Sequence, residues 1–221
     1  KKVLIVGGVA GGATAAARLR RLSEEVEIIL LERGEYISFA NCGLPYYIGE
    51  TIKERNKLLV QNIKGMSDRF KLDIRNFSEA VGIDPDKKEV RIKNLKTGEV
   101  YKESYDKLLL SPGAKPIIPP IPGISENKTL FTLRNIADTD RIKGFVDSNR
   151  PKRAVVVGGG FIGIEMAENF ANLGIEVTIV EKANQILAPI DFEMASILHK
   201  HLKEKGLTLL LEKGVESFIE N

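Results

Sequence analysis

Cysteine occurs once in these 221 residues, as Cys42, and histidine only twice, as His199 and His201. A single cysteine closes no internal disulfide and builds no four-cysteine zinc site, which excludes an oxidised secreted scaffold. The two histidines stand two apart, on different sides of a helix, and no acid or cysteine cluster completes a metal geometry, so no metal is expected. Long apolar runs are missing too. Stretches such as residues 3–6 and 26–31 fall far short of the roughly 18 residues that span a bilayer, and no charged, apolar and small-residue series marks a signal peptide. The expectation is a cytoplasmic protein with no membrane partner. Neither sign of charge dominates: 33 basic against 30 acidic residues leave a formal net charge of +3. Without a lysine-rich block, no nucleic-acid partner is expected. What remains is ordinary globular composition, 43% hydrophobic and 29% charged, with length for one large or two small domains.

What is present is a repeat. KKVLIVGGVAGGATAAARL at residues 1–19 is similar to KRAVVVGGGFIGIEMAENF at 152–170, and each copy runs on to a second apolar strand closed by an acid, Glu32 and then Glu181. Each copy reads as strand, glycine turn, helix, strand. The short apolar runs 3–6 and 154–157 have the form of parallel strands buried on both faces, and the helices predicted over 13–22 and 165–173 are followed, in the second copy, by Gly174 as a stop. The fold class is therefore α/β, with two Rossmann-like βαβ nucleotide-binding domains. Between them, residues 81–110 alternate in short strands with turns at 84–87 and 97–98, an inserted antiparallel meander. Five prolines in residues 112–123 make an extended connection. The domain plan is 1–123 for the first nucleotide domain, 124–150 for a connecting segment and 151–221 for the second. The sequence opens on Lys1 and closes on 207–211 and 215–219, which read as strands beginning to add to a sheet. Both nucleotide domains are expected to be incomplete, with a truncation at the C-terminal end. Expressed alone, these residues are expected to bind their cofactor weakly.

Each glycine of a GxGxxG turn has its own role. The first permits a tight turn, the second lets backbone approach a pyrophosphate, and the third allows close packing at the start of a helix whose amides face the anion. Gly158, Gly160 and Gly163 meet all three, and Glu181 stands where an acid accepts from both ribose hydroxyls. A carboxylate there repels a 2'-phosphate, which favours NADH over NADPH; the adjacent Lys182 works the other way. In the first copy Gly7 and Gly12 keep the first and third roles, the middle one falls on Val9, and Glu32 is the matching acid. The candidate nucleotide residues are Gly7, Gly8, Val9, Ala10, Gly11, Gly12, Glu32 and Arg33 in the first copy. In the second they are Gly158, Gly160, Phe161, Ile162, Gly163, Glu165, Glu181 and Lys182.

Cys42 lies in SFANCGLPYYIG at 38–49, a turn that opens a helix toward Tyr47, where amide donors favour a thiolate. With this run, the paired glycine units and SPGAKPIIPPIPG in this order, the sequence resembles the single-cysteine branch of the pyridine nucleotide-disulfide oxidoreductases, most closely the coenzyme A-disulfide reductases. The resemblance covers essentially all 221 residues. It implies FAD on the first unit, with Asn41 and Gly113 added to its site, a nicotinamide cofactor on the second, and Cys42 as the catalytic redox sulfur. It further implies a small-molecule disulfide such as coenzyme A disulfide as substrate, and a homodimer in the full-length protein. Phe161 becomes a gate over the nicotinamide pocket and Glu165 a carboxamide contact. Thr14, Arg18 and Arg21, four and three apart on one helix face, join Ser38 and Asn41 as the substrate site. No second cysteine is available, so the partner sulfur or oxygen comes from outside, as a mixed disulfide or a sulfenic acid. The alternatives are an NADH oxidase or peroxidase working through a sulfenic acid, and a non-catalytic flavin-binding redox module. Val9, Ala10 and Gly11 stand where the peroxidase branch carries a histidine, which weighs against the first.

Overall fold

The structure, a computed structural model, describes residues 1–219; Glu220 and Asn221, the last two of the second expected domain, lie outside the described residues. The protein forms two compact units, one of residues 1–40 and 56–114 and the other of 41–55 and 115–221.

In the first unit β1 (Lys2–Val6) lies between β2 (Glu27–Leu31) and β7 (Lys107–Leu110), both parallel to it, and β3 (Asp73–Arg75) extends the sheet beyond β2. The β1 residues alternate between two cores. Val3 and Ile5 pack with Ala13 and Ala16 of α1 (Gly11–Leu22) and Met66 of α3 (Ile63–Phe70), whereas Leu4 faces Val90 and Ile92. Those two valine and isoleucine side chains belong to the antiparallel meander β4 (Ser78–Asp84), β5 (Glu89–Asn94) and β6 (Val100–Ser104). A central strand covered on both faces needs apolar residues at every position, which is why VLI at 3–5 is continuous. The meander is shorter than the sequence predicts. KLLL at 107–110 leaves it and pairs in parallel with β1 along Val3–Val6.

The second unit repeats the scheme with β8 (Arg153–Val157), β9 (Glu176–Val180) and β10 (Thr208–Leu210) in parallel order 10-9-8. Helices α4 (Ile136–Asn149), α5 (Phe161–Asn172) and α6 (Phe192–Glu204) supply Ile142, Val146, Met166, Ala167 and Leu202 to one core against Val177 and Ile179. Burial on both faces does not hold here: Val155 and Val157 are 65% and 54% exposed, since no element among the described residues covers their side of β8. Residues 215–219 are not a strand either. They run without regular structure, and the Phe218 amide donates to the Pro122 carbonyl of the proline-rich connection. Gly174 ends α5 with φ 77°. The short helix α2 (Leu44–Ile48) is also part of this unit, with Ile48 fully buried in its core. No helix among the described residues is long and apolar enough to cross a membrane.

Candidate functional site

The two glycine turns are built by the same device. After β1, Gly7 takes φ 98°, and after β8, Gly158 takes φ 105°, a left-handed bend that L side chains rarely adopt. The acid at the end of the neighbouring strand then braces each turn. Glu32 accepts from the Gly8 amide (2.8 Å) and the Gly34 amide (2.7 Å), one on each oxygen. Glu181 accepts from the Gly159 amide (2.6 Å) and the Ala183 amide (2.7 Å) in the same way. Each carboxylate oxygen keeps a further lone pair for an outside donor. A Cβ on Gly12 would collide with the Gly7 carbonyl, and one on Gly163 with the Gly158 carbonyl, so the third glycines bring helix and strand together.

Gly160 is different. Its φ of −78° suits any residue, and a Cβ built on it meets nothing within 4 Å. Nothing among the described residues requires glycine there. The helices behind the turns also start without a capping side chain: neither Ala10 before α1 nor Gly160 before α5 offers one, although Asn62 and Asn135 cap α3 and α4. The first-turn amides of α1 and α5 are left for solvent or a ligand. Val9 is half-buried; Ala10 and Gly11 are exposed beside Ser111, whose carbonyl a Cβ on Gly7 would strike. Sequence reasoning passed over Ser111, which closes the first turn from the end of β7.

Of the remaining candidates in the first unit, Ser38 takes φ 43° with its amide donating to the Gly8 carbonyl (3.0 Å), so the predicted substrate serine is tied to the predicted nucleotide turn. Arg33 pairs with Glu79 at 3.6 Å. Gly113 is exposed with φ 68°. Thr14, Arg18 and Arg21 are all exposed on α1. Arg20, between the last two, is spent on structure and donates to the carbonyls of Phe70, Ser23, Glu24 and Lys71. Its anchoring shapes an open depression of about 410 Å³ where Arg21 meets Ser23, Glu24, Arg69 and Phe70. Arg69 was not visible as a candidate, because only folding brings α3 beside the end of α1.

In the second unit Asn41, Cys42 and Gly43 form a 3₁₀ turn leading into α2, and Cys42 is exposed. The Asn41 side-chain oxygen is buried without a hydrogen-bond partner among the described residues, an acceptor open to an outside donor. Phe161 is 61% exposed at the first position of α5, Ile162 is 53% exposed beside it, and Lys182 is exposed. Glu165 is half-buried, and its carbonyl accepts from the Asn169 amide at 2.7 Å. His199 accepts from the Ile186 amide at 3.2 Å, a loop support. The described residues contain no group of three or more His, Cys, Asp or Glu placed to hold a metal ion.

Comparison with known proteins gives this geometry a family. The description "Pyridine nucleotide-disulphide oxidoreductase" matches residues 1–221. The chain is 35% identical over 220 residues to a coenzyme A disulfide reductase of Staphylococcus aureus, covering 100% of this chain and 49% of that one, so it spans about half the length of the curated relatives it matches. Among solved structures, reduced CoADR-RHD of Bacillus anthracis is 62% identical with a TM-score of 0.98, over 100% of this chain and 40% of the other. An NAD-dependent persulfide reductase from A. fulgidus is 34% identical with a TM-score of 0.94, over 100% and 41%. With both acid-braced glycine turns in place and the match running from end to end, the chain belongs to the pyridine nucleotide-disulphide oxidoreductase family.

Proposed function

We propose that these residues are the nucleotide-binding and redox-cysteine portion of an FAD-dependent, NADH-favouring reductase of coenzyme A disulfide or a related disulfide or persulfide. The observation that carries the reading is Cys42, exposed at the head of α2 in a protein whose two glycine turns are both braced by an acid and followed by helices without capping side chains. By cofactor, residues 1–123 are assigned to FAD, 151–221 to the nicotinamide nucleotide and 124–150 to the segment between them; by compactness, residues 41–55 and 115–150 fall with the second unit. The residues fit the cofactor. Uncapped α1 amides and the turn formed by Gly7, Gly8, Val9, Ala10, Gly11 and Gly12 would hold its pyrophosphate, the spare lone pairs of Glu32 would accept from its ribose, and Arg33, Asn41 and Gly113 would complete the set. FAD supplies the two-electron relay between nicotinamide and sulfur.

On the other turn, the open space at Gly160 admits the dinucleotide pyrophosphate, while Glu181 accepts from the ribose diol and repels a 2'-phosphate. Gly158, Ile162 and Gly163 shape that turn, Phe161 shields the nicotinamide pocket, Glu165 holds the carboxamide and Lys182 tempers the preference for NADH. The Cys42 thiolate attacks one sulfur of the substrate; the substrate S–S bond breaks, one thiolate leaves and takes a proton from water, and a mixed disulfide forms on Cys42. Two electrons and one proton delivered to that mixed disulfide would release the second thiol and restore the Cys42 thiolate, NADH being the proposed source of the electron pair. Thr14, Arg18 and Arg21, with Ser38 and Asn41, hold the anionic substrate. The protein is assigned to the cytoplasm as a homodimer.

The test is Cys42→Ser in the full natural protein loaded with FAD. Thiol production from NADH and coenzyme A disulfide drops to background while flavin content is unchanged; retained thiol production overturns the assignment. Consumption of NADH with peroxide and not with disulfide would assign a sulfenic-acid oxidase or peroxidase instead.

A further inference from the structure

Asn169 is 1% exposed in α5, and its side-chain oxygen has no hydrogen-bond partner among the described residues. Its amide nitrogen donates to the Glu165 carbonyl at 2.7 Å, which fixes the direction of the side chain. What that side chain meets is Gly49, the residue that ends α2. A Cβ on Gly49 would lie 2.6 Å from the Asn169 Cβ and 2.7 Å from its Cγ. Gly49 has φ −81° and ψ 8°, open to every residue, so glycine is needed there for the close approach alone. A buried amide oxygen left unpaired is unfavourable, and packing in an apolar core does not require one.

Other ties hold the same segment to the same unit. Ile48 is buried in the core beside Met166 and Ala167 of α5, Arg55 makes a two-pronged pair with Asp140, and Lys143 pairs with Glu50 at 3.0 Å. The partners in all three ties lie on α4 or α5. The helix that follows Cys42 is therefore seated on helices of the second unit, and at Gly49 it leaves no room for a side chain against Asn169.

We infer that Asn169 and Gly49 are positioning residues for Cys42: their backbone-to-side-chain contact sets how α2 sits on α5, and with it the place of the sulfur. This rests on the reading of Cys42 as the redox residue. Glu165 and Asn169, one turn apart on α5, join the helix that begins at the nicotinamide turn to the helix that begins at the sulfur.

The experiment uses the full natural protein loaded with FAD, with flavin absorbance followed in rapid mixing. In Gly49→Ala the added methyl displaces α2, and reoxidation of the reduced enzyme by coenzyme A disulfide slows by about 10- to 100-fold, the usual cost of misplacing a reacting group by an ångström or less. Reduction of the enzyme by NADH keeps its parent rate, which general structural damage would not spare. Asn169→Gly in the same protein makes room for the methyl, and the double variant recovers most of the lost rate. Where Gly49→Ala yields no folded protein, Asn169→Gly alone carries the test and slows the disulfide step selectively. Equal slowing of both steps, no slowing, or no recovery in the double variant overturns the inference. The Cys42→Ser control separates the two claims: if that variant still produces thiol, the reading of the cysteine has failed, whatever Gly49 does.

Discussion

The first and second glycine turns share a backbone and an acid brace, yet their glycines answer to different neighbours. Around Gly7, Gly8 and Gly12 an added Cβ would strike Ser111, Ile37 or the turn itself, so internal packing accounts for them. In the second turn Gly158 bends into open space and Gly160 has neither strain nor crowding to explain it. Gly160 leaves its backbone open, as the proposed dinucleotide site requires. The same contrast extends to the sheets. Leu4 of β1 is fully buried under the meander, and Val155 of β8 is 65% exposed. Two copies of one βαβ pattern thus differ in what covers them, and coverage is decided by residues far away in sequence.

Alanine substitution breaks the comparison most sharply. Gly12→Ala drives a methyl into the Gly7 carbonyl and costs about 1–3 kcal/mol or more, read as a fall of several degrees in Tm and as lost flavin. Gly160→Ala changes stability by no more than about 0.5 kcal/mol but weakens NADH binding by about tenfold, or ~1.4 kcal/mol. A thermal scan beside an NADH titration separates the two; a Tm loss at Gly160 equal to that at Gly12 would remove the distinction.

The acids give a smaller effect. On the proposed reading of Glu181 as the ribose acid, Glu181→Gln narrows the ratio of kcat/KM for NADH over NADPH by about one order of magnitude, ~1.4 kcal/mol. Glu32→Gln leaves that ratio alone and lowers flavin affinity. Steady-state kinetics with both nucleotides checks the first, and flavin retention on dilution checks the second.

Acid acts on the two units in sequence and gives the smallest effect. Burial, aided by the charge of Lys203, pushes His199 below its ordinary 6.5, and its neutral ring accepts from the Ile186 amide. A base with a lowered pKa contributes stability that is full above 6.5 and is lost as pH falls through the lower, folded value. In the first unit, burial raises the Glu103 carboxyl, but hydrogen bonds and charge from Lys2 and Arg75 outweigh it and hold the group below its ordinary 4.5. Its contribution is full above 4.5 and goes only as pH falls further. Protection of the Ile186 amide from hydrogen exchange, corrected for intrinsic rate, is expected to fall before protection of the β5–β6 amides does. The reverse order would contradict these assignments.

Much of the site was legible because its parts are local. The glycines, the closing acids and the cysteine turn are each contained in a short run, and each run carries its own conformational requirement. What was misread depended on distant partners. KLLL at 107–110 reads equally well as the last strand of a meander or as a parallel neighbour of β1, and only the pairing of Leu108 with Leu4 decides it. Residues 215–219 alternate like a strand but find Pro122 instead of a sheet. Arg20 and Arg21 look alike in sequence, and α3 makes one a structural clamp and leaves the other facing solvent.

By itself, then, the amino-acid sequence determined the repeated βαβ units, the bends at Gly7 and Gly158, and the placement of an acid after each second strand, because backbone sterics and strand periodicity act over a few residues. Tertiary structure alone decided which sheet faces are covered, that Ser111 closes the first turn, and that the helix following Cys42 rests through Gly49 on the distant Asn169. Close packing ties each such contact to the shape of a surface assembled from separate segments, and no single segment holds that shape.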